Sequence, residues 1–350
     1  MPKNSNSDEL LEKVLRPGSS FYYSTLHFNH QQRTLHAILF ALFQEWMSLY
    51  DNSREPQVAN TALHWWLQQI DHFSKCTTSD EPHPLLDRLA PLHKTTTLKT
   101  LICERMKSIV VTLIQNQHEH DTTESLNTFL KHTWGNLCVM SGLIPLDGNV
   151  SSEKLFDEKL ANEQITEQAS SARKSINRSE HSIKDQETHL AIQQQAGLLI
   201  GYYTLVKQLA GQLNAQRSPL PLAWLKAWEV TPTSLVSALQ TTPKKASDSA
   251  QAIASKKIKT LLLTKIKSLL EQESITLESL LTQQTHYDLS CLTSLKVIRF
   301  ESALLDLTIQ QGFQIFDYRL QISPLKKFWL AWRCKYHYQK RRFRKIIANA

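Results

Sequence analysis

Residues 29–51 read Asn29-HQQRTLHAILFALFQEWMSLY-Asp51, and Leu35, Ile38, Leu39, Leu42, Phe43 and Trp46 recur at intervals of three and four. That interval returns side chains to one face of a 3.6-residue helix, so an amphipathic helix is predicted here. Outward from it the pattern repeats. One helix is predicted from Val58 to Phe73, and another from Thr97 to Asn116 on Leu98, Leu101, Ile102, Met106, Ile109, Val110 and Leu113. A buried-looking helix runs from Ala191 to Leu213 before the break Arg217-Ser-Pro-Leu-Pro221, and a further one covers Ile258 to Leu270. With 8 glycines and 12 prolines in 350 residues, turns are too few for an all-β chain, and an apolar share of 41% supports a sizeable core. The expected class is all-α and single-domain.

Residues 1–17 are expected to form a flexible N-terminus. A polar stretch at about 149–190, rich in Ser, Glu, Lys and Gln, reads as either an exposed helix or a partly disordered insertion. Pro243 to Lys257 is also polar. No h-region opens the chain and no apolar run reaches the length of a membrane span. Cys76, Cys103, Cys138, Cys291 and Cys334 stand far apart, which suits a reducing compartment, and the default location is cytoplasmic. His118-Glu119-His120-Asp121 reads as a solvated loop rather than a metal site.

The charge of +8 is unevenly placed. After Asp317 there is no acidic residue but ten Lys or Arg, which leaves 30 basic and 32 acidic residues, or −2, in the rest of the chain. Phe328, Trp329, Trp332, Tyr336, Tyr338 and Phe343 are interleaved with Lys326, Lys327, Arg333, Lys340, Arg341, Arg342, Arg344 and Lys345. This mixture suits a helix lying on an anionic membrane surface, at the inner face of a membrane, or docking on a membrane-associated protein. The alternative is a last helix that packs its aromatics on the core and solvates its charges. No nucleic-acid motif accompanies the patch, so nucleic acid is not an expected partner.

Several landmarks occur in a telling order: Ser19-Ser-Phe21-Tyr22, then Arg33 and Leu39-Phe40-Ala41, then Trp65-Trp66 and His83-Pro84-Leu85, then Leu101-Ile102, and finally Arg217 with Leu220-Pro221. In this order they resemble the squalene/phytoene synthase family over roughly residues 18–330, with residues 331–350 as a basic aromatic tail. The resemblance implies a helical bundle around a central cavity, in which two aspartate-rich helices hold Mg²⁺ against the diphosphates of prenyl substrates. Carboxylates at i and i+4 share a helical face and bridge such ions to phosphate oxygens.

Here those positions are eroded. On the first motif helix, alignment places Met47 at the first aspartate and keeps Asp51 at the second, with Phe40 and Gln44 at the family's tyrosine and arginine. On the second, Gln208 and Gln212 replace both aspartates within Lys207-Gln-Leu-Ala-Gly-Gln212, and Thr204 replaces an asparagine. No Asp or Glu lies between Gln193 and Lys226, so no shift of register restores the second motif. Phe129 aligns with a family tyrosine linked to proton handling. Phe21, Phe40 and Phe129 are the candidate cavity residues.

The expectation is therefore a relative without a metal site or resident cofactor. It would bind an isoprenoid or other lipid, or a partner, much as in the branch of respiratory complex I assembly factors, which Leu101-Ile-Cys-Glu-Arg-Met-Lys107 resembles. The competing expectation is an active head-to-head prenyltransferase with an atypical Mg²⁺ site. A third, that the landmarks match by chance, expects no cavity between residues 35–51 and 195–213.

Overall fold

The computed structural model describes residues 5–52, 55–75, 83–89, 96–116, 120–144, 172–215, 217–240, 250–284, 290–313 and 321–347, and every regular element among them is helical. The spacing of the apolar residues finds the first long helices closely, while the expected Ala191–Leu213 and Ile258–Leu270 lie inside longer helices, Ala172–Asn214 and Ala250–Gln283. The first motif helix is α3 (His30–Asn52), followed by α4 (Pro56–Lys75), α5 (Pro84–Asp87) and α6 (Thr96–Gln115). Ile38, Leu42 and Trp46 of α3 have no more than trace exposure, and each contributes roughly 1.5–3 kcal/mol of transfer free energy.

After α7 (Thr123–Leu130) the chain makes one π-helical turn, Lys131–Gly135, before α8 (Asn136–Leu143). The central element is α9 (Ala172–Asn214), 43 residues long, which packs against the π turn and α8 and also against α12 (Ala250–Gln283) and α13 (Ser290–Gln310). Short α10 (Leu222–Ala227) and α11 (Pro232–Gln240) precede α12. One apolar cluster extends from Leu11 to Ile347 and joins both halves of the chain.

Two expectations are revised. Residues 1–17 were expected to be flexible, yet Ser5–Leu15 forms α1, because Leu11, Val14 and Leu15 share a helical face that packs on α3. The α1 end is tied to α2 (Ser20–Ser24) by Ser19, whose Oγ donates to the Val14 carbonyl (3.0 Å) and accepts from the Tyr22 N–H. His120 does not sit in a solvated loop: it is buried, and its carbonyl accepts from the Leu222 N–H at 2.8 Å. Of the polar stretch 149–190, residues 172–190 form the first turns of α9, while residues 145–171 lie outside the described residues, as do His118, Glu119, Cys76, Asp317 and residues 241–249.

The last helices are α14 (Pro324–Gln339) and α15 (Arg344–Ile347). Ser323 caps α14, its Oγ accepting from the Lys326 N–H at 3.3 Å, and Pro324 supplies a pre-set φ at the first position. Among the described residues no helix is long and apolar enough to cross a membrane.

Candidate functional site

The C-terminal halves of α3 and α9 face each other across a cavity of about 40 Å³ lined by Met47, Tyr50, Asp51, Phe129, Trp134 and Thr204, with Gln208, Gln212 and Arg217 at one end. That volume holds a few water molecules, far below the roughly 300–1000 Å³ of ordinary ligand pockets. Gln212 Nε2 donates to Asp51 Oδ1 at 3.2 Å, and the Arg217 guanidinium donates to the carbonyls of Tyr50 (3.3 Å) and Asp51. Thus the two motif helices are joined where the resemblance implies that metal ions would separate them. Burial pushes the Asp51 carboxyl up to about 6, against the opposing pull of Arg217 and Gln212.

The cavity is small because aromatic rings fill it. Trp134, carried on the π turn, meets Phe43 edge-on with centroids 4.7 Å apart, and Phe129 stacks on Tyr50 at 5.6 Å. Backbone contact holds the turn in place. A Cβ at Gly197 of α9 would lie 2.4 Å from the Trp134 carbonyl oxygen and 2.5 Å from Gly135 Cα, so only glycine allows this approach. His120 closes one end, its ring 5.0 Å from that of Phe129, and burial pulls its pKa down to about 4.

The structure brings together Met47, Asp51, Thr204, Gln208, Gln212, Arg217 and Phe129. It does not bring in Gln44, which is exposed, or Phe21 and Phe40, which stack on each other at 5.1 Å and line neither this cavity nor the cleft on the other side of α9. Lys207 points to the opposite side of α9 and pairs with Glu301 of α13 at 3.5 Å. Trp134, Tyr50 and His120 are the site residues that sequence reasoning missed; helical spacing could not find Trp134, because a π turn breaks it.

Chemically, the donor set around Asp51 is one carboxylate, two glutamine amides and a thioether. Magnesium asks for near-octahedral hard oxygens, usually several carboxylates or phosphates, and a neutral amide brings no charge. These residues do not fit a magnesium pair. Among the described residues no group of three or more His, Cys, Asp or Glu is placed to hold a metal.

On the other side of α9 lies a cleft of about 1280 Å³, bordered by the α1–α2 junction, α13 and the start of α14. Asp51, Gln208 and Gln212 line both spaces, so the Gln212–Asp51 hydrogen bond stands where they meet.

At the surface, α14 has two faces. Leu330, Ala331, Cys334 and Tyr338 are buried, while Leu325, Phe328, Trp329, Trp332 and Tyr336 are between 42% and 79% exposed. The exposed set falls at i, i+3, i+4, i+7 and i+11, a single stripe. Trp332 stacks on Tyr336, and the Arg333 guanidinium lies 5.0 Å from the Trp329 ring centroid. Lys326, Lys335, Lys340, Arg341, Arg342 and Arg344 are exposed around it. One face of this segment packs on the core and another keeps its aromatics outside. Lys327 is half-buried and donates to the Gly18 carbonyl at 2.7 Å, and the Lys345 side chain lies outside the described residues.

Comparison with known proteins points one way. The family model described as squalene/phytoene synthase matches residues 14–261. A solved structure described as a dehydrosqualene synthase in complex with ligand superposes with a TM-score of 0.62 at 13% identity, covering 96% of this chain and 97% of that one. That likeness shows the fold, the helical isoprenoid synthase bundle. No curated protein sequence matches significantly.

Proposed function

The chain belongs to the squalene/phytoene synthase family, and from that premise we propose that it is a non-catalytic member, a lipid- or partner-binding assembly protein working at an anionic membrane surface. One observation carries the reading. Where prenyl transfer needs several carboxylates to hold Mg²⁺ against a leaving diphosphate, Asp51 stands alone and is hydrogen-bonded to Gln212 across a cavity of about 40 Å³. In the wider cleft that Asp51 also borders, the other carboxylate, Glu301, is paired with Lys207, so no carboxylate pair supports the reading of a metal site there either. Purified protein given farnesyl or geranylgeranyl diphosphate with Mg²⁺ is expected to release no pyrophosphate and form no hydrocarbon product. Metal-dependent product formation would instead make it a head-to-head prenyltransferase with an atypical metal site.

The membrane part of the reading rests on α14. Its exposed aromatic stripe, flanked by cations, matches the headgroup boundary of an anionic leaflet, where each Lys or Arg near the surface is worth about 1 kcal/mol. A location at the inner face of a membrane, from the cytoplasmic side, follows from that chemistry. Co-sedimentation with phosphatidylglycerol-containing vesicles is expected to weaken in a Trp329→Ser/Trp332→Ser variant and with added salt. Equal sedimentation of variant and wild type would remove the membrane role.

A further inference from the structure

This inference rests on the membrane reading of α14 and concerns how that helix is held in its seat. Two cations line the seat. Lys296 of α13, only 3% exposed, donates to the Ser24 carbonyl at 3.3 Å and to His27 Nδ1 at 3.0 Å, while Arg333 of α14 donates from Nε to His337 Nε2 at 3.3 Å. Each cation is thus bonded to an imidazole. A neutral imidazole accepts through one ring nitrogen, but a protonated one has donors only, so a proton taken up by His27 or His337 sets cation against cation and ends the bond.

The surroundings offer little negative charge to absorb such a proton. Burial pulls Lys296 down to about 8, with Lys335 of α14 adding to the effect and the Cys334 thiol opposing it. Burial and then Arg333 pull the Arg299 guanidinium down, against Cys334, Asp306 of α13 and Tyr203 of α9. Glu301 of α13 is taken up by Lys207, and α15 brings the exposed Arg344. On the far side of His27, Phe28 lies 4.0 Å from its ring and stacks at 4.2 Å on His36 of α3, whose Nδ1 meets Ser141 Oγ of α8 at 2.7 Å. Burial, then His27, pulls His36 down to about 3, so folding opposes its charged form: no penalty exists above pH 6.5, and one grows as pH falls from there toward about 3. Among the described residues no carboxylate acts on Lys296 or His36.

The same contacts seat α14. Its buried Leu330 and Ala331 pack with Phe300 of α13 and Tyr23 of α2, and Tyr23 precedes the Ser24 whose carbonyl Lys296 holds. We propose that this seam is an acid latch: protonation of His27 and His337 releases Lys296 and Arg333, loosens the Leu330 and Ala331 contacts, and frees a second apolar face of α14 for the bilayer. An anionic leaflet at roughly −30 mV concentrates protons about threefold, so the surface that attracts α14 also favours its release.

The test is hydrogen exchange of the full-length protein without vesicles from about pH 7.5 to 5, corrected for the intrinsic rate. Protection of α14 is expected to fall at least about tenfold and that of α4 less than about threefold. A His27→Gln/His337→Gln variant keeps an acceptor for each cation but cannot take the proton, so its α14 should lose less than about threefold. Lys296→Met removes one buried cation; it should unfold no earlier than wild type at neutral pH and show an α14 step at least about threefold smaller. Four results overturn the latch: constant protection of α14, equal loss throughout the chain as from His83 and His120 elsewhere, or a wild-type step in either variant. Sedimentation with phosphatidylglycerol-containing vesicles should increase toward pH 5 in wild type and not in the double variant, and sedimentation indifferent to pH would remove the regulatory role. Absence of vesicle binding at every pH would strike the membrane reading instead, because the exchange step is read without lipid.

Discussion

The two sides of α9 differ in what fills them. Toward α3, Gly201, Thr204, Leu205, Gln208 and Gln212 border a chamber of about 40 Å³ occupied by aromatic rings; toward α13 and α14, Tyr203, Val206, Lys207 and Gly211 border a cleft of about 1280 Å³. The same helix thus borders a narrow space on one side and a wide one on the other. Backbone proximity at Gly197 together with the Trp134 ring narrows the first side, and Lys13, Arg16, Lys207 and Lys327 border the second. The difference teaches that one helix of a bundle can border a narrow space crowded by aromatic rings on one side and a wide cleft on the other.

The largest effect that breaks this contrast is expected at Gly197. Gly197→Ala puts a Cβ within 2.4–2.6 Å of three backbone atoms of Trp134 and Gly135, which cannot yield unless the helices part. A loss of more than about 3 kcal/mol is expected in chemical denaturation. Trp134→Ala empties the closed side. It should cost about 2–3 kcal/mol, toward the low end for aromatic truncations because Trp134 is partly exposed, and the variant should take up small apolar molecules that wild type excludes.

Asp51→Asn probes the seam between the two spaces. The folded-state pKa of Asp51, about 6, lies above its ordinary 3.8, so the ionised carboxylate is disfavoured by folding. The penalty is absent below pH 3.8, grows between pH 3.8 and about 6, and is complete above that. The asparagine variant should therefore be about 1–2 kcal/mol more stable than wild type at neutral pH and show no advantage below pH 3.8, as read from denaturation across that range. The smallest effect sharpens the contrast. A Cβ at Gly211, on the open side, meets nothing within 4 Å, so Gly211→Ala should raise stability by about 0.5–1 kcal/mol through helix propensity alone. The same exchange fourteen residues earlier on α9 should be ruinous.

The fold was legible because three- and four-residue spacing marks the long helices, as α3 and α4 show within two residues at their ends, although α12 runs well past the expected Ile258–Leu270. The loss of acid from the second motif was legible too, since an absence of Asp and Glu across Gln193–Lys226 holds in any register. Trp134 was not. Its direction depends on a π turn, and that turn depends on a glycine of α9 more than sixty residues away in sequence. Lys13 and Arg16 escaped notice because their segment was read as flexible, although Leu11 and Val14 already carried the spacing that folds it. For α14, composition showed aromatics and cations together but could not say which aromatic faced inward. Tyr338 and Phe343 are buried and Trp329 and Trp332 are not, a split decided by where α2 and α13 lie.

The π turn at Lys131–Gly135 holds one more residue per turn than an α-helix would, and each residue swings the downstream chain by about 100°. Excising a single residue there would carry the indole out of the chamber and leave the helices on either side nearly where they are. The capacity of this interior thus depends on chain length within five residues as well as on side-chain bulk.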